Sequence, residues 1–401
     1  MPLSRRRLLH TTAAAAAGAA LRAAGAGGER ALPPDGWDAP DAWAAAADAL
    51  GGPISIEAID VVSLRGRRRL RVRSSDGAVG AAPDNGRLGD ARSLLEGRVA
   101  RGFLGQDARR LPELVDRVYH TPRSNYKFAG MPFWTSVAAV EIATLDLVGR
   151  RLGLPAARLI GDPIRESIPV YVTRLTRETT PAEEVRIAAE QLAATGASAV
   201  KLKIGGRMRN RPQDAERTSR LVPLARRELG DSVAIYVDAN GSYSVSEAIE
   251  VARMLEDHGV GFFEEPCPWE EHDATRRVAE AARVPIAGGE QDSSLPAWRW
   301  MIRNRGFDLC QPDVFYAGGL FRSLRIARWA AEAGLDVTPH SPKGGTQQHA
   351  MLSLAAVLPN LGPHQECLPG PDVVRGRRDV PSGPGLDWGV EDAELRAAPL
   401  A

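Results

Sequence analysis

The sequence predicts an α/β fold, a (β/α)8-type (TIM-like) barrel with an N-terminal α+β capping domain, and three observations carry that reading. From Ile168 onward, short apolar runs alternate with helical stretches in a βα rhythm. The runs end in chemistry-bearing side chains: Lys201 and Lys203 in AVKLKI, Asp238 in IYVDAN, Glu264 in FFEEP, Glu290 in PIAGGE, Asp313 in LCQPDV and His340 in DVTPHS. From Asp238 to His340 the successive intervals are 26, 26, 23 and 27 residues, about one βα unit each. Strand ends that all carry chemistry at one rim are what a parallel barrel provides.

The bulk composition agrees. A chain of 401 residues accommodates a barrel and a smaller companion. A hydrophobic fraction of 44% and a charged fraction of 25% are those of a globular protein. The formal net charge of +1 gives no electrostatic case for a nucleic-acid or membrane partner. Three cysteines, Cys267, Cys310 and Cys367, fall in or just after predicted barrel strands. Their odd number and their spacing match no metal motif, and no structural disulfide is expected.

In chain order, Ser4-Arg5-Arg6-Arg7-Leu8-Leu9 precedes an Ala-rich stretch and small residues near Ala24. Residues 1–27 read as an export signal of the twin-arginine kind, which predicts a periplasmic protein. No other run reaches the roughly 18 apolar residues of a membrane span. A Pro/Gly-rich linker is expected over 25–53, then paired strands at 54–60 and 70–73 with an Asp76-Gly77 turn beside them. Arg67, Arg69, Arg71 and Arg73 alternate with Leu70 and Val72, which predicts a solvated arginine face rather than an anion patch. Helices follow at about 88–101, 110–119 and 134–150. This capping domain spans 28–160 and is joined by the tail at 372–401.

The barrel, 161–371, takes its strands at 168–173, 199–204, 234–240, 262–266, 285–290, 308–314, 336–341 and 364–368. Asp238, Glu264 and Glu290 end three consecutive strands and should converge. Three unpaired carboxylates repel one another, and an oxygen-seeking divalent cation resolves that; the all-oxygen set points to Mg²⁺ over Zn²⁺. Of the neighbouring pair, Glu265 is the weaker candidate, because adjacent strand residues point to opposite faces.

Lys201 and Lys203 are two apart and share one face of the second strand. Two ammonium groups held together favour loss of one proton, which suits a general base. Asp313 and His340 lie across the mouth, where a carboxylate on one imidazole nitrogen fixes the tautomer and raises the basicity of the other. Glu366, on the last strand, could donate to, or neutralise, a developing oxyanion if protonated. Asn240 shares the face of Asp238 and is expected to contact substrate, or solvent near the metal. Segments 80–87 and 205–211 are expected to set specificity; Arg207, Arg209 and Arg211 in the second are expected in a solvated loop, with binding of a second carboxylate or of hydroxyls as the alternative. His349, His364 and Lys343 receive no role.

The set K-x-K, D-A-N, E-E-P, G-G-E, Q-P-D, P-H-S and Q-E closely resembles the mandelate racemase branch of the enolase superfamily, over nearly all of the chain beyond the export signal. The resemblance implies that Asp238, Glu264 and Glu290 bind Mg²⁺, one per subunit. It implies that Lys203 is one base and His340, with Asp313, the opposite base or acid. It also implies that Lys201 helps bind the substrate carboxylate and Glu366 touches the enediolate. The implied partner is a small-molecule carboxylate, an acid sugar, and the family tends to form homo-oligomers. The shared step is abstraction of a proton α to a carboxylate; dehydration to a 2-keto-3-deoxy acid is the favoured outcome. Racemisation or epimerisation is the alternative, and a non-catalytic sugar-acid binder the remote one.

Overall fold

The computed structural model describes residues 39–83, 85–120 and 124–401. The predicted export signal and the start of the linker lie outside the described residues. Within the predicted linker the structure forms a helix, Asp41–Ala49, which corrects that expectation. Its Trp43 is buried edge-on against Phe321, with ring centroids 5.4 Å apart, and its indole N–H donates to the Arg109 carbonyl at 2.9 Å. Proline and glycine content misled here because AWAAAADAL is a helix former held by one aromatic anchor.

Strands β1 (Ile56–Leu64) and β2 (Arg67–Ser74) pair antiparallel, with Ile59 opposite Val72 and Val61 opposite Leu70. A third strand, β3 (Val79–Pro83), pairs with β2 after the Asp76-Gly77 turn. The long helix Met131–Leu152 packs across β3. Gly80 permits the contact: a Cβ there would lie 2.2 Å from Leu147 N and 2.3 Å from Ala143 O. By length and composition this helix could cross a membrane, but most of it is buried inside the protein, as a core helix is.

The tail returns to this sheet. Ser63 N donates to Pro399 O and Ala401 N to Val61 O, each at 2.9 Å. The arginine face of β2 is therefore only partly solvated. Arg67 and Arg73 are exposed, but Arg71 is buried, donates to the carbonyls of Leu395, Arg396 and Ala398, and pairs with Asp60 at 2.9 Å.

Eight parallel strands follow: β4 (Ser167–Thr173), β5 (Ala199–Lys203), β6 (Ala234–Asp238), β7 (Phe263–Glu264), β8 (Ile286–Gly288), β9 (Leu309–Cys310), β10 (Asp336–Val337) and β11 (Gln365–Cys367). Their order is β10-β9-β8-β7-β6-β5-β4-β11, and a single parallel bridge between Val337 and Leu361 spans β10 and the approach to β11. Seven connections carry helices, but none follows β11; the chain instead forms β12 (Arg377–Asp379), antiparallel to the start of β4. The eighth βα unit of an ideal barrel is thus replaced by a strand on the way back to the small sheet.

Strand alternation sorts the side chains. On β5, Val200 and Leu202 join the apolar layer under the helices, while Ala199 joins an inner plug with Tyr171, Tyr236, Phe262, Ala287 and Leu309. Tyr236 and Phe262 stack there at 4.1 Å. Two residues further along each strand, above this plug, come Lys201, Asp238 and Glu264. All three cysteines are buried.

Candidate active site

At the C-terminal rim, ligand oxygens of Asp238, Glu264 and Glu290 all lie within 4.8 Å of one another, and all three residues are buried. Register explains this: Asp238 pairs with Glu264 across β6 and β7, and Glu290 follows two residues after Gly288 at the end of β8. Burial above all pushes Glu264 up to about 8, with Asp238, Glu366 and Glu290 adding and Lys201 only partly offsetting. Glu290 Oε2 is buried without a hydrogen-bond partner, although His340 Nε2 approaches to 3.0 Å. Three crowded carboxylates, one with an orphaned oxygen, fit a hard divalent cation, and among the described residues no nitrogen or sulfur ligand joins them.

The two lysines of the K-x-K pair have different partners. Lys201 Nζ lies 2.8 Å from Glu366 and donates to both oxygens of Glu264, at 2.9 and 2.8 Å. Burial disfavours its charge, but Glu264 and Glu366 outweigh that and raise its pKa, so Lys201 stays an ammonium. Lys203 instead meets Asp238 Oδ2 and lies 3.3 Å from Asn240 Oδ1. Burial would raise Asp238, yet Lys203 and Lys201 hold it well below the usual carboxylate range.

At the other end of the triad, His340 Nδ1 sits 2.8 Å from Asp313 Oδ2. Burial opposes its charge, but Glu290, Glu366 and Asp313 together push its pKa up to about 9. Asp313, favoured by Lys343 and His340 against the cost of burial, falls to about 2. It also accepts from the Phe315 and Tyr316 amides, at 2.8 and 3.2 Å, which fixes its aim.

Glu366 corrects the expectation of a protonated donor. Against burial, Lys201 and His340 lower it to about 2, and it accepts from Ser341 N at 2.9 Å. It is an anion. Glu265 stands outside the triad, as expected, but not for the expected reason. The chain leaves β7 at Glu264, and Glu265 adopts φ 43°, so strand alternation no longer governs it. It is buried and accepts from Asn240 Nδ2 at 3.1 Å, beside the triad.

Asn240, also left-handed at φ 43°, links Asp238, Lys203 and Glu265. Sequence reading missed Arg177, which donates to Asn240 Oδ1 at 2.9 Å, and Gln311, which donates to Glu264 Oε2 at 2.8 Å. Gln311 stands in the Q-P-D run and was legible as a strand-end polar residue; nothing marked Arg177. Of segment 80–87, residues up to Pro83 are buried in β3, but Arg87 donates to Tyr316 OH at 2.7 Å, and the Tyr316 ring lies 6.3 Å from that of His340.

The family model described as enolase C-terminal domain-like matches residues 184–393, just over half of the chain. Arabinonate dehydratase of Saccharolobus solfataricus is 29% identical over 310 residues, covering 72% of this chain and 78% of that protein. D-galactarolactone cycloisomerase of Agrobacterium fabrum is 28% identical, with coverage of 80% and 88%. A mandelate racemase/muconate lactonizing protein from Paracoccus denitrificans, solved with magnesium, superposes with a TM-score of 0.78 at 27% identity, over 86% of this chain and 98% of that one. With the family model, the barrel and the carboxylate triad in agreement, the chain belongs to the enolase superfamily.

Proposed function

We propose that the protein is a Mg²⁺-dependent acid-sugar dehydratase. It removes the proton α to a carboxylate and expels the β-hydroxyl, giving a 2-keto-3-deoxy acid and water. The observation that carries this reading is the arrangement at the triad: Lys203 meets it at Asp238, and a His340 whose pKa is raised to about 9 meets it at Glu290.

Asp238, Glu264 and Glu290 would hold the ion, which when bound supplies the positive charge that stabilises the substrate dianion. Lys201, kept as an ammonium, adds fixed positive charge beside the substrate carboxylate. Lys203 Nζ accepts the α proton. His340 Nε2 gives its proton to the β-hydroxyl as the C–O bond breaks, and the resulting enol becomes the keto acid. Asp313 keeps the proton on Nδ1 and stabilises the imidazolium. The relatives named as dehydratases support this outcome.

The same pair of proton carriers supports a second reading. With a substrate lacking a β leaving group, His340 returns a proton to the opposite face, which makes a racemase or epimerase.

The test is turnover of an acid-sugar library in D₂O with Mg²⁺. Keto-acid release is expected from the native protein, with loss of about 10² to 10⁴-fold in both Lys203→Ala and His340→Asn. For substrates in which Lys203 faces the α proton, His340→Asn should still wash deuterium into C2, and Lys203→Ala should not. Exchange without keto acid supports the racemase; no exchange and no product, with tight ligand binding, would leave only a binder.

A further inference from the structure

Outside the triad, the cations of the first two βα connections are unevenly matched. A cavity of about 470 Å³ opens between the segment after β4 and the helix Pro212–Leu229, and a second of about 420 Å³ adjoins it. Six arginines line them: Arg177, Arg207, Arg209, Arg211, Arg217 and Arg220. Only three carboxylates do so. Two of these are already engaged, Asp214 with Arg211 at 2.9 Å and Glu216 with Arg220 at 2.7 Å. The third, Glu178, is turned to Thr176 and to the Arg177 amide.

Arg177, Arg207, Arg209 and Arg217 therefore have no carboxylate within 4 Å among the described residues. Arg177 donates to neutral oxygens alone, of Ile204, Gly205, Asp238 and Asn240. Arg217 donates to Thr179 and to the Lys203 carbonyl. Burial lowers the pKa of Arg217, against the longer-range pull of Glu184, Glu178 and Asp214. Half-buried cations that crowd one another are costly without a counter-charge. The loop that presents the others is itself under strain: Arg207 and Met208 hold φ of 56° and 55°, pinned by Ser242 Oγ and the Asn240 carbonyl.

We propose that this arginine-lined cavity binds a small dianion of the phosphate or dicarboxylate class. Guanidinium groups suit such a ligand because they present paired donors to two oxygens at once. The site abuts the catalytic centre through one residue. Arg177 reaches Asn240 Oδ1, which also accepts from Lys203, so an anion that draws on Arg177 is felt at Lys203.

The test is calorimetric titration of the full-length protein with inorganic phosphate, at ionic strength held constant with chloride. Saturable binding is expected. Charge reversal of the exposed pair, Arg207→Glu with Arg209→Glu, should weaken it at least about tenfold, or about 1.4 kcal/mol. Arg67→Glu, on the distant β2, should change nothing. Neither substitution removes a packed side chain, and far-UV circular dichroism checks the fold. No saturable binding by the native protein, or equal binding by the double variant, overturns the proposal. Competition between phosphate and galactarate would identify the anion as the far end of a diacid substrate; additive binding would identify a separate effector. This outcome is independent of the reaction catalysed, since phosphate binding is read without turnover.

Discussion

His340 gathers three carboxylates around one imidazole, and its charge state follows from their sum rather than from any one. In the divalent-free protein its NMR titration is expected to have a midpoint near 9, against an ordinary 6.5. The sign is that of a raised histidine. Its contribution to stability is complete below pH 6.5 and disappears as the pH rises through about 9. Asp313→Asn should move that midpoint down, because it removes the partner 2.8 Å from Nδ1. A midpoint that stays put would mean that Asp313 only positions the ring. At this scale the sequence was informative where strand alternation holds, as for Lys201, Lys203, Asp238 and Glu264. Alternation does not extend to Glu265, where a left-handed backbone follows a two-residue strand, although Glu265 does lie outside the triad.

Among the elements, the triad belongs to three strand ends whose mutual repulsion an ion would relieve. Mg²⁺ at a hundredfold excess over its dissociation constant should stabilise the fold by about 2.7 kcal/mol, seen as a rise in Tm that EDTA reverses. Glu290→Ala should abolish that rise. A second inter-element device lies away from the centre. Glu141, buried in the helix Met131–Leu152, accepts from the Leu320 and Phe321 amides, the latter at 2.9 Å, at the start of the helix Leu320–Glu332. Its side chain needs Gly319, where an added Cβ would sit 1.8 Å from Glu141 Oε2.

Burial pushes Glu141 up to about 8. Its folded form therefore holds a proton that the unfolded chain loses near 4.5, and stability falls with rising pH between those values. Glu141→Gln should flatten this part of the denaturation profile. Glu141→Ala, which orphans two buried amides, should cost about 3 kcal/mol. No spacing rule could have found Glu141, since its partners lie some 180 residues away.

For the molecule as a whole, the order of parts was legible: an antiparallel pair, helices, then βα units at a constant interval. The helix Asp41–Ala49 was hidden by linker-like composition, while the return of the tail to the small sheet was expected and is seen. The export signal remains our proposal for residues 1–27. Replacing Arg5 and Arg6 by lysine should keep the protein in the cytoplasmic fraction, and unchanged export would remove that assignment.

The barrel and the acids, the lysine pair and the His–Asp couple at its rim could be read from the chain alone, because period-two alternation and a fixed βα length depend only on local geometry. Their electrostatic settings emerged with the packing: which lysine is locked by carboxylates, that Lys201 and His340 hold Glu366 low, and that four arginines have no carboxylate within 4 Å among the described residues. Those outcomes depend on distances between residues far apart in the chain and on how deeply each is buried, and neither is written in any local stretch.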